Sequence, residues 1–139
     1  MTDPSLALQT AVRSRLIADP AVTALVPASN IFDRSRRPEA FPCVMLGEGQ
    51  TVNEGLTYAR AFVRVFLNLH VWVRSEALAD AKAITGPVEH ALESNPAWTL
   101  DGATVTDFRI SHSRFMRDPG GELQHAIVTA EALIQRAPT

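Results

Sequence analysis

The sequence predicts an α+β fold, a mainly antiparallel sheet of about four or five strands with two helices packed on one face. Three observations carry this. From Ala61 to Arg74 the odd positions (Ala61, Val63, Val65, Leu67, Leu69, Val71, Val73) are all aliphatic, and the even ones (Phe62, Arg64, Phe66, Asn68, His70, Trp72, Arg74) are aromatic, polar or charged. A period of two sorts side chains onto the two faces of a strand. At about 3.3 Å per residue the run spans roughly 45 Å, longer than an ordinary strand. Two stretches, one after Asp3-Pro4 and one after Ser75, carry apolar residues at helical spacing. Finally, Asp118-Pro119-Gly120-Gly121 is a strong turn signal between two further strand-like runs, which should pair antiparallel. Helices laid on one face of such a sheet bury both apolar surfaces.

Taken in order, Asp3 can cap a helix with Pro4 at its first position, where a missing N–H costs nothing. Leu8, Val12 and Leu16 form its apolar stripe, with Leu6 and Ala11 beside it. Asp19-Pro20 repeats the cap-and-proline signal for a short helical turn over 21–25, closed by Pro27 and Asn30. Ile31 to Asp33 reads as a short extended segment, followed by the loop 34–39. Phe41-Pro42 leads into a strand from Cys43 to Glu48, Pro being tolerable at a strand entrance or edge. Gly49 to Tyr58 has no clear period and reads as a long hairpin connection, or as a loop with some strand at each end; loops of that length are often functional. Ser75 is a plausible cap for a helix from Glu76 to about Glu93, with Leu78, Ala81, Thr85, Val88 and Leu92 as its buried stripe. Pro87 lacks the donor a helix interior needs, which predicts a kink or break there. Thr104 to Arg117 is a strand whose alternation slips near Asp107, predicting a bulge. Glu122 to Arg136 is the last strand, with Ala126, Val128, Ala130, Ala132 and Ile134 on one face. No boundary or repeat interrupts the chain, so residues 1–139 read as a single domain.

Bulk properties narrow the function. A chain of 139 residues is long enough for one real core. A net charge of −2 gives no support for general nucleic-acid binding. Positive charge comes from twelve Arg and the single Lys82, a bias that fits protein interfaces and a GC-rich genome equally. The lone Cys43 excludes an internal disulfide and reads as a small core residue. The N-terminal MTDPSLALQT shows no signal peptide, and no apolar run approaches the roughly 20 residues of a membrane span. A soluble chain, at first cytoplasmic and with no membrane partner, is expected.

Catalytic and metal chemistry find no support. None of His70, His90, His112 and His125 has a neighbouring Cys or His at a ligand spacing, although His70 and His125 fall on the non-aliphatic faces of their strands and can approach each other. Ser113 and His112, adjacent on a strand, point to opposite faces, and no hydrolase elbow surrounds them. Gly47 and Gly49 lack the GK[ST] or GxGxxG that a phosphate loop needs. No cofactor and no metal are expected. What remains is contact. The even face from Phe62 to Arg74 is too mixed for core and too aromatic for plain solvent, so Phe66 and Trp72 lie beneath another covering element or in a subunit interface. The second is preferred because both helices are needed on the aliphatic face. The Arg34, Arg36, Arg37 cluster is either a solvated loop held by Asp33 and Glu39 or a docking contact of a larger assembly.

The order and spacing of several pieces resemble the phage tail-terminator or tail-completion family over nearly the whole chain. These are an N-terminal helix with Leu16 and Pro20 to Val26 behind it, IFDR (Ile31 to Arg34), and FPCVMLGE (Phe41 to Glu48). LHVWVR (Leu69 to Arg74) then runs into an Ala-rich helix, and the FMRDPGGELQHA hairpin (Phe115 to Ala126) follows. Gly86-Pro87 inside the second helix departs from that pattern. The resemblance implies a structural virion protein rather than an enzyme. Such proteins form a ring, commonly hexameric, on the head-proximal end of the tail tube, in phages, prophages and gene transfer agents. They stop tube polymerisation and join the tail to the head connector. The implied partners are further copies of the chain, the major tail tube protein and the connector or stopper, with DNA passing only transiently through the lumen. The implied location is the host cytoplasm during assembly and then the particle. Another connector or stopper protein of the same particle is the alternative. Expected interface residues are Arg34, Arg36 and Arg37, Asn53 and Tyr58 of the 49–58 loop, and Arg64, Asn68, His70 and Trp72 of the long strand.

Overall fold

A computed structural model of the chain describes residues 2–33, 38–55 and 61–136. Helix α1 (Pro4–Ala18) starts where the sequence places it: the Asp3 carboxylate accepts from the backbone N–H groups of Ser5 and Leu6. Helix α2 (Pro20–Thr23) is capped in the same way by Asp19. A 3₁₀ turn (Ala28–Asn30) leads into β1 (Ile31–Phe32). Then come β2 (Cys43–Asn53), β3 (Phe62–Arg74), α3 (Leu78–Glu93), β4 (Ala103–Arg117) and β5 (Leu123–Arg136).

The five strands form one sheet in the order β1-β2-β3-β5-β4. Every pairing is antiparallel except β1 with β2, where Ile31 faces Val44 and Phe32 faces Met45 in parallel. The long strand sits in the middle, paired along all its length with β5, from Phe62↔Gln135 to Arg74↔Leu123. Its odd residues Val63 to Val73 are buried and join one core with Leu8, Val12 and Leu16 of α1, Val22 of α2, Ala81, Val88 and Leu92 of α3, and Ala126, Val128, Ala132 and Ile134 of β5. The helices therefore cover the aliphatic face. Burying a side chain of Leu or Val size stabilises by about 1.5–3 kcal/mol, which makes this face the main source of stability.

Four expectations are corrected. The second strand does not end at Glu48; it continues to Asn53 by pairing Gly49 to Asn53 with Leu67 to Val63, after a bulge between Leu46 and Gly49, so that of the two readings of 49–58 the one with strand at its start holds. Gly49 is required there, because a Cβ on it would collide with the Phe66 carbonyl oxygen. Ser75 is not the cap of α3, which begins at Leu78 behind Ala77; the Ser75 hydroxyl instead accepts from the Ala77 N–H at 3.0 Å and donates to Asp80. Helix α3 is not broken at Pro87. Burial of Ile84 and Thr85 before it, and of Val88, Ala91 and Leu92 after it, ties both halves to the sheet. Leu6 lies off the buried side of α1 and is exposed. The bulge expected near Asp107 is present, and β4 carries a second one between Ile110 and His112.

Candidate functional site

The sheet face opposite the helices is uncovered by any described element, and its side chains hold one another. Alternation puts Phe62 to Trp72 of β3 on it, and register adds His125, Ile127, Thr129, Glu131 and Leu133 of β5 and Asp107, Arg109, His112, Arg114 and Met116 of β4. Most are half-buried rather than free in solvent.

Two polar ladders cross the strands. In the first, Arg64 donates through Nε to Glu54 at 2.5 Å and lies 3.8 Å from Glu131. Glu131 accepts from Arg109 Nε on β4 at 2.8 Å. Glu131 is 7% exposed, a buried carboxylate on an otherwise open face, and its two arginines are what make that burial tolerable. In the second ladder, Glu48 at the β2 bulge accepts from Asn68 Nδ2 at 3.0 Å, and Asn68 Oδ1 accepts from the Thr129 hydroxyl at 2.7 Å. His112 Nε2 lies 3.3 Å from that hydroxyl.

A branch of the second ladder runs through two histidines. His70 Nε2 is 2.9 Å from Glu48, and His70 Nδ1 is 2.8 Å from His125 Nε2. With the carboxylate as acceptor, neutral His70 donates from Nε2 and accepts at Nδ1, so His125 donates from Nε2. His125 stacks on Trp72 with ring centroids 3.8 Å apart and planes 9° apart. Burial, and then the electrostatic effect of nearby His70, push the His125 imidazole down to about 4, so it is neutral at ordinary pH. Glu48 is held below the usual carboxylate range by its own backbone N–H and by His70, against the opposing effect of burial. Gly47 gives His70 room: a Cβ there would lie 2.5 Å from His70 Cδ2.

Arg64, Asn68, His70 and Trp72 are thus brought together on one face. Asn53 is not with them. It pairs with Val63 on the helix side of the sheet and stays exposed. Arg34, Arg36, Arg37 and Tyr58 lie outside the described residues. The partners Glu48, Glu131, Arg109 and Thr129 escape a reading of single segments, because each acts across strands. Glu131 carries a signal, the one charged residue in the run from Ala126 to Ile134, which is apolar but for it and Thr129. Cys43 is buried, and burial pushes its thiol up to about 11, as suits a packing residue. Ser113 turns away from His112 and donates to Glu89, whereas Ser111, brought near His112 by the second bulge, donates to the Thr129 carbonyl at 3.2 Å. Among the described residues no three His, Cys, Asp or Glu side chains converge as metal ligands, and no helix is long and apolar enough to cross a membrane. The arrangement is one of fixed, mutually satisfied polar groups with aromatic surface between them, suited to holding a partner surface.

Among solved structures, a chain from the virion of a native gene transfer agent particle superposes with a TM-score of 0.80 at 21% identity, covering 96% of this chain and 99% of that one. The gp17 protein of bacteriophage SPP1 superposes with a TM-score of 0.62 at 21% identity, covering 97% and 94%. These likenesses share the fold. No curated protein sequence matches the chain. The sequence pattern described as tail completion protein gp17 matches residues 10–135. The chain belongs to the tail completion protein gp17 family, and its role is a structural one in completing a phage-type tail.

Proposed function

We propose that this protein forms a closed ring at the head-proximal end of a tail tube, stops further tube polymerisation and joins the tail to the head connector. The observation that carries this reading is the family match over residues 10–135, together with a sheet face that no described element covers and whose polar groups are held in place. A similar fold within a gene transfer agent virion supports a location in the particle. Closing a ring requires a head-to-tail interface between two different surfaces of each subunit. The uncovered face and the free sheet edges supply such surfaces. The tube protein and the connector are the other partners. DNA passes through the lumen without lasting attachment, in keeping with a net charge of −2.

Depletion tests the proposal. Particles lacking the protein should have overlong tails, or tails that do not join heads. Tails of normal length joined to heads would overturn it. The Trp72→Ala variant adds a residue-level check: it should fold and yet lower the fraction of joined particles at least tenfold.

A further inference from the structure

Granting the ring reading above, we infer that neighbouring copies join sheet edge to sheet edge, the Gly49–Asn53 stretch of β2 in one copy lying antiparallel beside the Asp107–Arg114 stretch of β4 in the next. Among the described residues, β1 pairs only with Val44 and Met45, so β2 from Gly49 onward is paired on one side alone. At the other margin, among the described residues, β4 from Thr104 onward pairs with β5 alone, its first residue Ala103 being bridged to Leu100. Unpaired strand edges are templates for another strand, and a chain that keeps two of them has a use or a guard for each. Residues 48–53 are exposed on both faces, Val52 among them at 39%.

Direction favours a second copy as the occupant. Each step from β2 through β3 and β5 to β4 is antiparallel, so β2 and β4 run in opposite senses. A copy rotated about an axis along the strands then brings its β2 antiparallel to the first copy's β4. Charge favours the same pairing. Both ladders start with acid near the β2 edge, at Glu54 and Glu48, and reach β4 at Arg109 and at His112, so that the β4 stretch carries Arg109 and Arg114 against the single acid Asp107. Continued across the seam without stagger, strand levels place Gln50 beside Arg109 and Glu48 at the level of His112, two residues from Arg114. Two-fold pairing of β2 centred near Thr51 would instead set Glu48 against Glu54 of the other copy, and two-fold pairing of β4 centred between Arg109 and Arg114 would set those arginines against each other; like charges facing each other across strands are destabilising.

The β4 edge is guarded in the free subunit. The Ile110 N–H points away from β5 and donates to the Glu93 carboxylate of α3 at 3.2 Å, and the two bulges deform the same stretch. Glu93 occupies the place of a partner strand's carbonyl and must swing aside for the seam to form. Such a guard keeps free copies apart until tube or connector gathers them.

Paired cysteines test the seam in assembled particles. The full-length Gln50→Cys/Arg109→Cys protein, treated with a short bis-maleimide that spans one step of stagger, should give a ladder of covalent multimers. The buried Cys43 stays silent in this experiment. Each single variant should give none; dimers from either one would show two-fold pairing and overturn the seam. Should that double variant fail to fold, Val52→Cys with Asp107→Cys reads the same seam one pair away. Particles that show a ring by imaging yet give no ladder overturn edge pairing and leave the ring reading standing. Particles without a ring overturn both. Independently, Glu93→Ala should shift the purified protein from monomer toward multimers at least tenfold lower in concentration than the native chain; no shift would remove the guard.

Discussion

The two faces of β3 are built from alternate residues of one strand, yet they are put together by different rules. Facing the helices, Val63, Val65, Leu67, Leu69, Val71 and Val73 make no specific partnerships; each only excludes water and fills space. On the other side, Arg64 has Glu54 and Glu131, Asn68 has Glu48 and Thr129, His70 has Glu48 and His125, and Trp72 has the His125 ring. The first face is tolerant of which aliphatic residue stands where and intolerant of lost volume. The second tolerates little change of identity, because each group is another's partner. Stability should therefore be concentrated on one face and recognition on the other, and mutations can separate them.

The sharpest break is Leu69→Ala. Leu69 is fully buried at the centre of the sheet, and truncating such a residue costs about 2–5 kcal/mol through lost burial and the cavity left behind. Urea denaturation should show the midpoint falling with little change in slope. A loss under about 1 kcal/mol would mean that the helix-covered face is not where the fold is held.

Gly47→Ala attacks the outer face through its geometry. The added Cβ would overlap His70 Cδ2 and Nε2 and come within 3.2 Å of the Asn68 carbonyl oxygen. The imidazole, fixed between Glu48 and His125, must move. Overpacking of this kind costs about 1–3 kcal/mol. The decisive readout is local: the His125 ring resonances and Trp72 fluorescence should both change, since the three rings form one stack. Unaltered signals from both would show that the histidine pair is not ordered as described.

Glu131→Gln keeps the volume and removes the charge between two arginines. Arg64 retains Glu54, and Arg109 is mostly solvated, so the cost should be modest, about 1 kcal/mol. Thermal melting would detect this, with the difference shrinking in high salt. Salt independence would argue that packing, rather than the charge ladder, holds the centre of this face.

The sequence made the helix-covered face readable because a period of two, once a strand is long enough, decides burial on its own. Helix starts at Asp3 and Asp19 were readable for a similar reason: capping is local chemistry within three residues. Gly49 to Asn53 was readable only as one of two alternatives, since Thr51 and Val52 favour a strand but Gly49 and Asn53 do not and no period of two marks a face; the stretch is extended because the backbone of Val63 to Leu67 needs a partner. The parallel placement of β1 was not readable, being a matter of where the chain returns. The outer-face partnerships are the least readable. Glu131 meets Arg64 across the unbroken β3–β5 pairing and Arg109 in a register that the bulges of β4 set, and a bulge moves every cross-strand pair beyond it. His70 and His125 came nearest to being read, because alternation alone put both on the open face.

The gentlest probe of the contrast between the faces is pH, since titration changes charge and leaves volume alone. The aliphatic face has nothing to protonate. On the outer face, the His125 pKa falls from 6.5 to about 4 on folding, chiefly through burial and then through His70, with Arg114 acting in the same direction and Asp118 and Glu48 opposing. Below pH 6.5 the unfolded chain therefore takes up a proton at this position that the folded chain refuses until about pH 4. Stability contributed by neutral His125 is complete above that window and is lost as the pH falls through it. Glu48, whose pKa folding also lowers, adds a further loss at the acid end. Denaturation midpoints measured from pH 7 to 4 should fall for the native chain, and His125→Gln should flatten the upper part of that slope while lowering the value at pH 7. An unchanged slope in the variant would assign the acid sensitivity to the other carboxylates and leave the histidine stack a matter of shape alone.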